Sequence, residues 1–377
     1  MTDAAIRRSE GEPTATTLAR LSVPFDQVYD AEPMPAGLSS ARLWRLTLRE
    51  QAPSGAAHYR RRVLKAIAPA HDWLSVASGD RRAREIQLWT SGVARDIPRA
   101  IETGVLAYTL NTSGGCALFM RDESAYLSRS PLRPPPGHLP RAIVRLLDAL
   151  ARLHARFWMD PRLRDPALGL MSGRDALLLA APAMIAERLR AGDMNPYLPL
   201  AATGWQAFFA LSAPPAAATL RAVFADPAAV IAAIDTLPYT LVHGDVWGPN
   251  LGWLPPTRST PTTGHRVVLL DWALAMAAPC AYDPLWLCGT WHALDPRRIL
   301  AAYRARLTRH LAARGVPLAP ATWRTLVDAA YLRTTLTCGE ALGRAAAEAP
   351  NGAARRRAES RVRWWATRAA LAAERLG

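Results

Sequence analysis

Two carboxylates and one amide stand out by their positions. The run Y-T-L-V-H-G-D-V-W-G-P-N-L-G-W, residues 239–253, delivers Asp245 just after Thr240-Leu241-Val242, and Asn250 follows it in the same loop. A second apolar run, Val267-Val268-Leu269-Leu270, ends at Asp271. Acids and an amide at the ends of strand-like segments are hard oxygen ligands together with a proton acceptor. That set suits Mg²⁺-assisted phosphoryl transfer. The same chemistry also needs a cation on the phosphates and a backbone cover over the triphosphate.

The rest of the chain offers both. Lys65 is the only lysine among 46 basic residues. Where nearly every cation is a guanidinium, a lone ammonium marks a place that a planar fork does not fit, such as a tight phosphate site. Glu85 lies inward on the helix expected next and can hold that ammonium in place. The small-residue loop around Gly37, Ser39 and Ser40 can approach phosphates closely. In this reading Asp245 is the base, Asn250 and Asp271 are the metal ligands, and Lys65 neutralises the α- and β-phosphates.

These residues fall on two kinds of sequence. From Val23 to Met120 the texture is that of short strands broken by turns. The segments 43–48 and 62–67 make a hairpin, 104–110 and 116–120 are further strands, and 79–90 is a helix. Residues 1–20 are polar and small and read as a flexible tail, leaving 21–121 as a strand-rich lobe. Beyond 122 the pattern turns helical. Ile143, Leu146, Leu147, Leu150 and Leu153 share one stripe, and Ala/Leu-rich helices recur to the C-terminus, so 122–377 forms a larger, mainly helical lobe. The expected fold class is α+β.

Composition sets the frame. With 377 residues, half of them hydrophobic and 20% charged, the chain is globular. No apolar run is long enough to cross a membrane and no signal peptide is evident. The four cysteines lack a CxxC pair, which fits reduced thiols and a cytoplasmic location. The net charge of +15 is almost all arginine in Ala- and Pro-rich sequence, so it reads as compositional bias, and nucleic acid is not an expected partner. Trp364 and Trp365, beside the basic run 355–363, are expected to dock a terminal helix on the large lobe.

With these residues in order, H-G-D-V-W-G-P-N followed by V-V-L-L-D-W resembles the signature of the aminoglycoside phosphotransferase family, relatives of choline kinases within the protein-kinase-like fold. The resemblance spans roughly residues 25–345. It implies a two-lobed kinase-like fold with a small antiparallel N-lobe sheet, ATP and Mg²⁺ as cofactors, and transfer of the γ-phosphate to a hydroxyl of a small molecule. It implies Asp245 as the catalytic Asp, Asn250 and Asp271 as Mg²⁺ ligands, and Lys65 with Glu85 as the ATP-binding ion pair. Phe119, Met120 and Arg121 then fall in the hinge that contacts adenine, and Asp283 matches a structural Asp. The chain departs from the pattern at Arg121, where an acid is usual, in the run 279–285, and in the lengthened turn 255–264. These departures motivate the alternative of an inactive nucleotide-binding kinase-like protein. The acceptor is expected among helices of the large lobe, where Asp328 and Glu340 are the candidate acids, although +15 is a poor long-range attractor for polycations.

Overall fold

The computed structural model describes residues 15–35, 41–51, 56–70, 72–110, 116–127, 139–255 and 266–377. The loop holding Gly37, Ser39 and Ser40 lies outside these residues, as do 52–55, 111–115 and nearly all of the lengthened turn 255–264.

In the N-lobe, α1 (Ala15–Arg20) precedes β1 (Val28–Met34), β2 (Arg42–Gln51) and β3 (Ala57–Ile67). After these come α2 (Trp73–Ala77), α3 (Arg84–Thr90), β4 (Ile101–Glu102), β5 (Val105–Leu110) and β6 (Cys116–Arg121). Five strands pair in the order β1-β2-β3-β6-β5, every pairing antiparallel. Pro33 is tolerated because β1 is an edge strand and pairs only with β2. The alternation of β2 and β6 sends Trp44, Leu46, Leu48, Ala117 and Phe119 to one face. Ile67, Leu118 and Met120 go to the other, against Ile86 of α3.

Two expectations change here. Residues 15–20 are not tail: α1 buries Leu18 in the first of these clusters, because that sheet face would otherwise stay open to water. The helix expected over 79–90 begins only at Arg84. Asp80 accepts from the backbone N–H of Arg82 (3.1 Å) and of Arg84 (2.8 Å), which ties the chain into a turn before the helix opens.

The C-lobe begins with α4 (Arg141–Arg156), whose stripe Ile143, Leu146, Leu147, Leu150 and Leu153 is fully buried. Then come α5 (Gly173–Leu178), α6 (Pro182–Arg190), α7 (Tyr197–Leu211), α8 (Pro214–Ala225) and α9 (Ala228–Asp235). The strands β7 (Thr240–Val242), β8 (Leu251–Leu254), β9 (Arg266–Leu269) and β10 (Met276–Ala278) follow. The chain closes with α10 (Tyr282–Thr290), α11 (Pro296–Ala312), α12 (Pro320–Ala347) and α13 (Gly352–Leu376). Proline opens α6, α8, α11 and α12, where its missing N–H leaves no bond unmade.

The long helix α12 is the spine of this lobe and packs against α7, α10 and α13. Its approach to α7 is close enough that a Cβ at Gly343 would stand 2.0 Å from Gly204 O, so only glycine fits there. Trp365 is buried and meets Tyr331 edge to face, docking α13 as expected. The lobes touch where Trp73 of α2 stacks on Tyr197 of α7, with ring centroids 5.4 Å apart. Among the described residues no single helix is long and apolar enough to cross a membrane.

Candidate active site

Strand period places Lys65 on the same face of β3 as Val63 and Ile67, toward α3. Glu85 lies in the first turn of α3 and is 1% exposed. Lys65 Nζ donates to Glu85 Oε2 at 2.7 Å and to Asp271 Oδ1 at 2.8 Å. Burial works against the ammonium, but the carboxylates of Asp271 and Glu85 outweigh it and hold its pKa above the ordinary lysine value. In turn Lys65 keeps Asp271 below the usual carboxylate range, although burial pushes that group up. An ammonium can aim separate donors at two carboxylates, whereas a guanidinium fork is flat and larger.

The loop after β7 is held from below. Asp283, itself fully buried, accepts from the backbone N–H of His243 (Oδ2, 3.0 Å) and of Gly244 (Oδ1, 2.9 Å). Its Oδ2 also accepts from His154 Nε2 at 3.1 Å, and His154 Nδ1 shares a hydrogen bond with the Tyr303 hydroxyl. Gly244 sits at φ +84°, and a Cβ there would stand 2.3 Å from Leu274 O, so the turn requires glycine. His243 Nδ1 accepts from Asp245 N at 3.1 Å, so its Nε2 is the donor to Leu270 O at 3.0 Å. With both nitrogens committed and burial lowering its pKa, His243 is a neutral strut of the loop.

Asn250 Nδ2 donates to Asp245 Oδ2 at 2.8 Å, which turns the amide oxygen the other way. Leu270 N donates to Asn250 O at 2.9 Å, so the backbone beside Asp271 is tied to the loop that carries Asn250. Asp271 adopts φ +63°, in the left-handed region, where Asp is among the better tolerated residues. Its side chain is one third exposed and faces the cleft between the lobes. Burial first, and the charge of Asp271 second, push the carboxyl of Asp245 up to about 7.

Among the described residues no group of three or more His, Cys, Asp and Glu is placed to hold a metal ion. Mg²⁺ needs no such group, since it takes one or two protein oxygens and completes its octahedron with phosphate and water. Asp271 and the Asn250 amide oxygen are chemically of that kind.

The hinge residues divide. Met120 faces the cleft side with Leu270, and both approach Gly104. Phe119 turns its ring to the opposite face, with Trp44 and Leu46, so only its backbone borders the cleft. Arg121 donates its backbone N–H to Gly104 O at 2.8 Å, and its guanidinium pairs with Glu102 and Glu123. Ser39 and Ser40, expected over the phosphates, lie outside the described residues.

Two functional candidates escaped the sequence reading. Arg84, 1% exposed, donates to Gly169 O (2.7 Å), Ser78 O (2.9 Å) and Ala273 O, which joins α3 to the segment after Asp271. Nothing in D-R-R-A-R-E distinguishes it from its arginine neighbours. Arg333, fully buried in α12, donates Nη2 to Gly244 O at 3.0 Å and lies 4.2 Å from the Trp286 ring centre. A signal for it exists: it is the one charge in the run 329–339.

A family profile described as the phosphotransferase enzyme family (APH) matches residues 31–318. No curated protein matches the chain. The chain is similar to the solved structure of a putative aminoglycoside phosphotransferase from Ralstonia eutropha JMP134. That match has 16% identity, covers 93% of this chain and 96% of that one, and has a TM-score of 0.45. It is also similar to a macrolide 2′-phosphotransferase from Brachybacterium faecium, with 17% identity, 92% and 96% coverage and a TM-score of 0.42. A third is an ethanolamine kinase from Plasmodium vivax, with 11% identity, 92% and 83% coverage and a TM-score of 0.48. The profile match spans most of the chain, from β1 to the residues after α11, and takes in Lys65, Glu85, Asp245, Asn250 and Asp271. This chain therefore belongs to the phosphotransferase enzyme family.

Proposed function

We propose that the protein is an ATP- and Mg²⁺-dependent kinase that transfers the γ-phosphoryl group to a hydroxyl of a small molecule. The carrying observation is Lys65 Nζ bridging Glu85 at 2.7 Å and Asp271 at 2.8 Å, beside the loop that holds Asp245 and Asn250. In that arrangement a fixed cation, two metal-suited oxygens and a proton acceptor converge on one cleft.

Lys65 faces the α- and β-phosphates and stays charged, because its two carboxylate neighbours favour the ammonium. Asn250 and Asp271 hold the metal, which supplies neutralisation of phosphate charge when bound. Backbone around Met120 and Arg121 borders the purine. Asp245 accepts the proton of the acceptor hydroxyl as its oxygen bonds to the γ-phosphorus; the bond from that phosphorus to the β,γ-bridging oxygen breaks, and ADP leaves. Asn250 Nδ2 fixes the Asp245 carboxylate so that its remaining lone pairs face the acceptor. The reactants place this chemistry in the cytoplasm, where Mg·ATP is abundant.

The test measures Mg·ATP binding by calorimetry and ADP release with a panel of alcohols. The reading requires both a heat of binding and acceptor-stimulated ADP release. Absence of nucleotide binding sinks it. Binding without release across the panel favours an inactive nucleotide-binding protein instead.

A further inference from the structure

The base defines where an acceptor must lie, because its hydroxyl has to come within hydrogen-bond reach of Asp245. Next to that point, across the Gly244 carbonyl, stands the guanidinium of Arg333. It is fully buried, and among the described residues no carboxylate lies within 4.0 Å to pair with it. Burial accordingly lowers its pKa, against the opposing fields of Cys338, Tyr282, Asp283 and Asp245.

Its surroundings satisfy it only in part. Trp286 lies 4.2 Å and Tyr282 5.5 Å from its central carbon, so aromatic rings cover the guanidinium. Ring contacts do not satisfy N–H donors, which radiate in the guanidinium plane. Nη2 has Gly244 O, but Nε and Nη1 have no partner. The indole Nε1–H of Trp286 faces the Asp245 carboxylate, which is its acceptor. Among the described residues two buried N–H donors of Arg333 thus lie beside the catalytic loop with no acceptor of their own. Buried donors of this kind are almost always matched by a ligand or water. A donor-only set complements an acceptor-only group such as a carboxylate or phosphate.

The acids on this side of α12 do not reverse that preference. Glu340, two helical turns along, is already held by the Tyr197 hydroxyl at 3.2 Å and lies 3.9 Å from Arg344. Burial pushes its carboxyl up to about 6. The other candidate acid, Asp328, pairs with Arg375 on the α13 side. The net charge of +15 also draws anions toward the molecule.

Resting on the kinase reading, the geometry points to Arg333 as an acceptor-binding residue, and to an acceptor that carries its own oxyanion: a hydroxyl compound with a carboxylate or phosphate near the hydroxyl to be phosphorylated. The oxyanion accepts from a guanidinium N–H that Arg333 leaves unmatched while the hydroxyl faces Asp245. Cationic alcohols meet a fixed positive charge there instead.

The test pairs acceptors with the same hydroxyl and different charge. Wild-type protein with Mg·ATP is given D-glycerate, its methyl ester, glycerol 3-phosphate, glycerol and ethanolamine, and ADP release is followed. In parallel, calorimetry measures binding of the two anions to the Mg·ADP-loaded protein. The expected result is binding of at least one anion, with kcat/KM at least tenfold above that of its neutral partner. In Arg333→Gln that ratio falls toward one, and Arg333→Lys, which keeps the charge but loses the fork, lies between. Preference of wild type for ethanolamine or the neutral alcohols overturns the proposal. So does an equal loss for charged and neutral acceptors in a folded Arg333→Gln, which marks a purely structural arginine, or no binding of either anion. Mg·ATP binding by wild type, measured separately, tells failure of the kinase reading from failure of this one. Glycerate against glycerol 3-phosphate decides between carboxylate and phosphate.

Discussion

Lys65 and Asp271 are 206 residues apart in sequence, yet Nζ and Oδ1 meet at 2.8 Å. One belongs to the N-lobe sheet and the other to the strand end that closes the C-lobe cleft, so this contact fixes the two halves of the site relative to each other. Substituting Lys65→Ala leaves Glu85 as a buried, unpaired carboxylate. Removing one partner of a buried pair costs about 3 kcal/mol or more. Chemical denaturation is expected to show that loss, and Glu85→Gln in the same chain is expected to recover part of it. Lys65→Arg is expected to restore neither stability nor turnover, because the fork cannot aim at both carboxylates.

Asp245 governs the pH dependence. Burial and the charge of Asp271 raise its pKa to about 7, and only the ionised carboxylate accepts a proton. Activity therefore rises with pH through a limb at or below about 7, since a bound dication pulls the value down. Asp245→Asn is expected to lower kcat by roughly 10²–10⁴-fold. Nucleotide affinity by calorimetry should stay near that of wild type.

Metal removal tests Asn250 and Asp271 together. Excess EDTA is expected to abolish turnover, and Mg²⁺ to restore it. Asp271→Asn should raise the Mg²⁺ concentration needed for half-maximal rate, whereas Ca²⁺, with its longer bonds and looser geometry, should support little activity. Unchanged Mg²⁺ dependence in Asp271→Asn would count against Asp271 as a ligand.

Asp283 is the anchor of the catalytic loop. It accepts from His243 N, Gly244 N and His154 Nε2 and is fully buried. Asp283→Ala strands three buried donors, at roughly 1–3 kcal/mol each before relaxation. A fall of at least ~3 kcal/mol in unfolding free energy is expected, with kcat reduced through the displaced Asp245.

His292 provides a pH test away from the chemistry. Burial first, and the nearby Arg361 second, lower its pKa to about 4 from an ordinary 6.5. The unfolded chain thus binds a proton that the folded chain refuses between those values. Stability is unaffected by this group above pH 6.5, falls as pH drops from there, and levels off near 4. The loss is on the order of 2 kcal/mol after allowance for its partial exposure. His292→Gln should flatten that part of the stability–pH curve.

How much of this was legible in the sequence follows from what each feature depends on. Asp245, Asn250 and Asp271 are fixed by local order: each ends or follows a short apolar run, and strand ends facing a cleft are where such side chains can work. Lys65 stood out by composition and Glu85 by helical spacing. The two textures, alternating before about residue 120 and helical after, gave the α+β class because side-chain period is a local property of the backbone. Misplaced elements had equally local causes, such as Asp80 capturing the N–H groups that a longer helix would have used.

Other features depended on distant parts of the chain. No spacing rule brings Lys65 to Asp271, sets Arg84 against Ala273 O, or lays Arg333 of α12 beneath Gly244 O. Whether an arginine is a solvated surface charge or a buried donor depends on what packs around it, and most of the basic residues here look alike in sequence. By itself, the sequence determined which groups could do chemistry. Tertiary packing decided which of them meet, because burial and charge pairing arise only when remote segments exclude water from the same space.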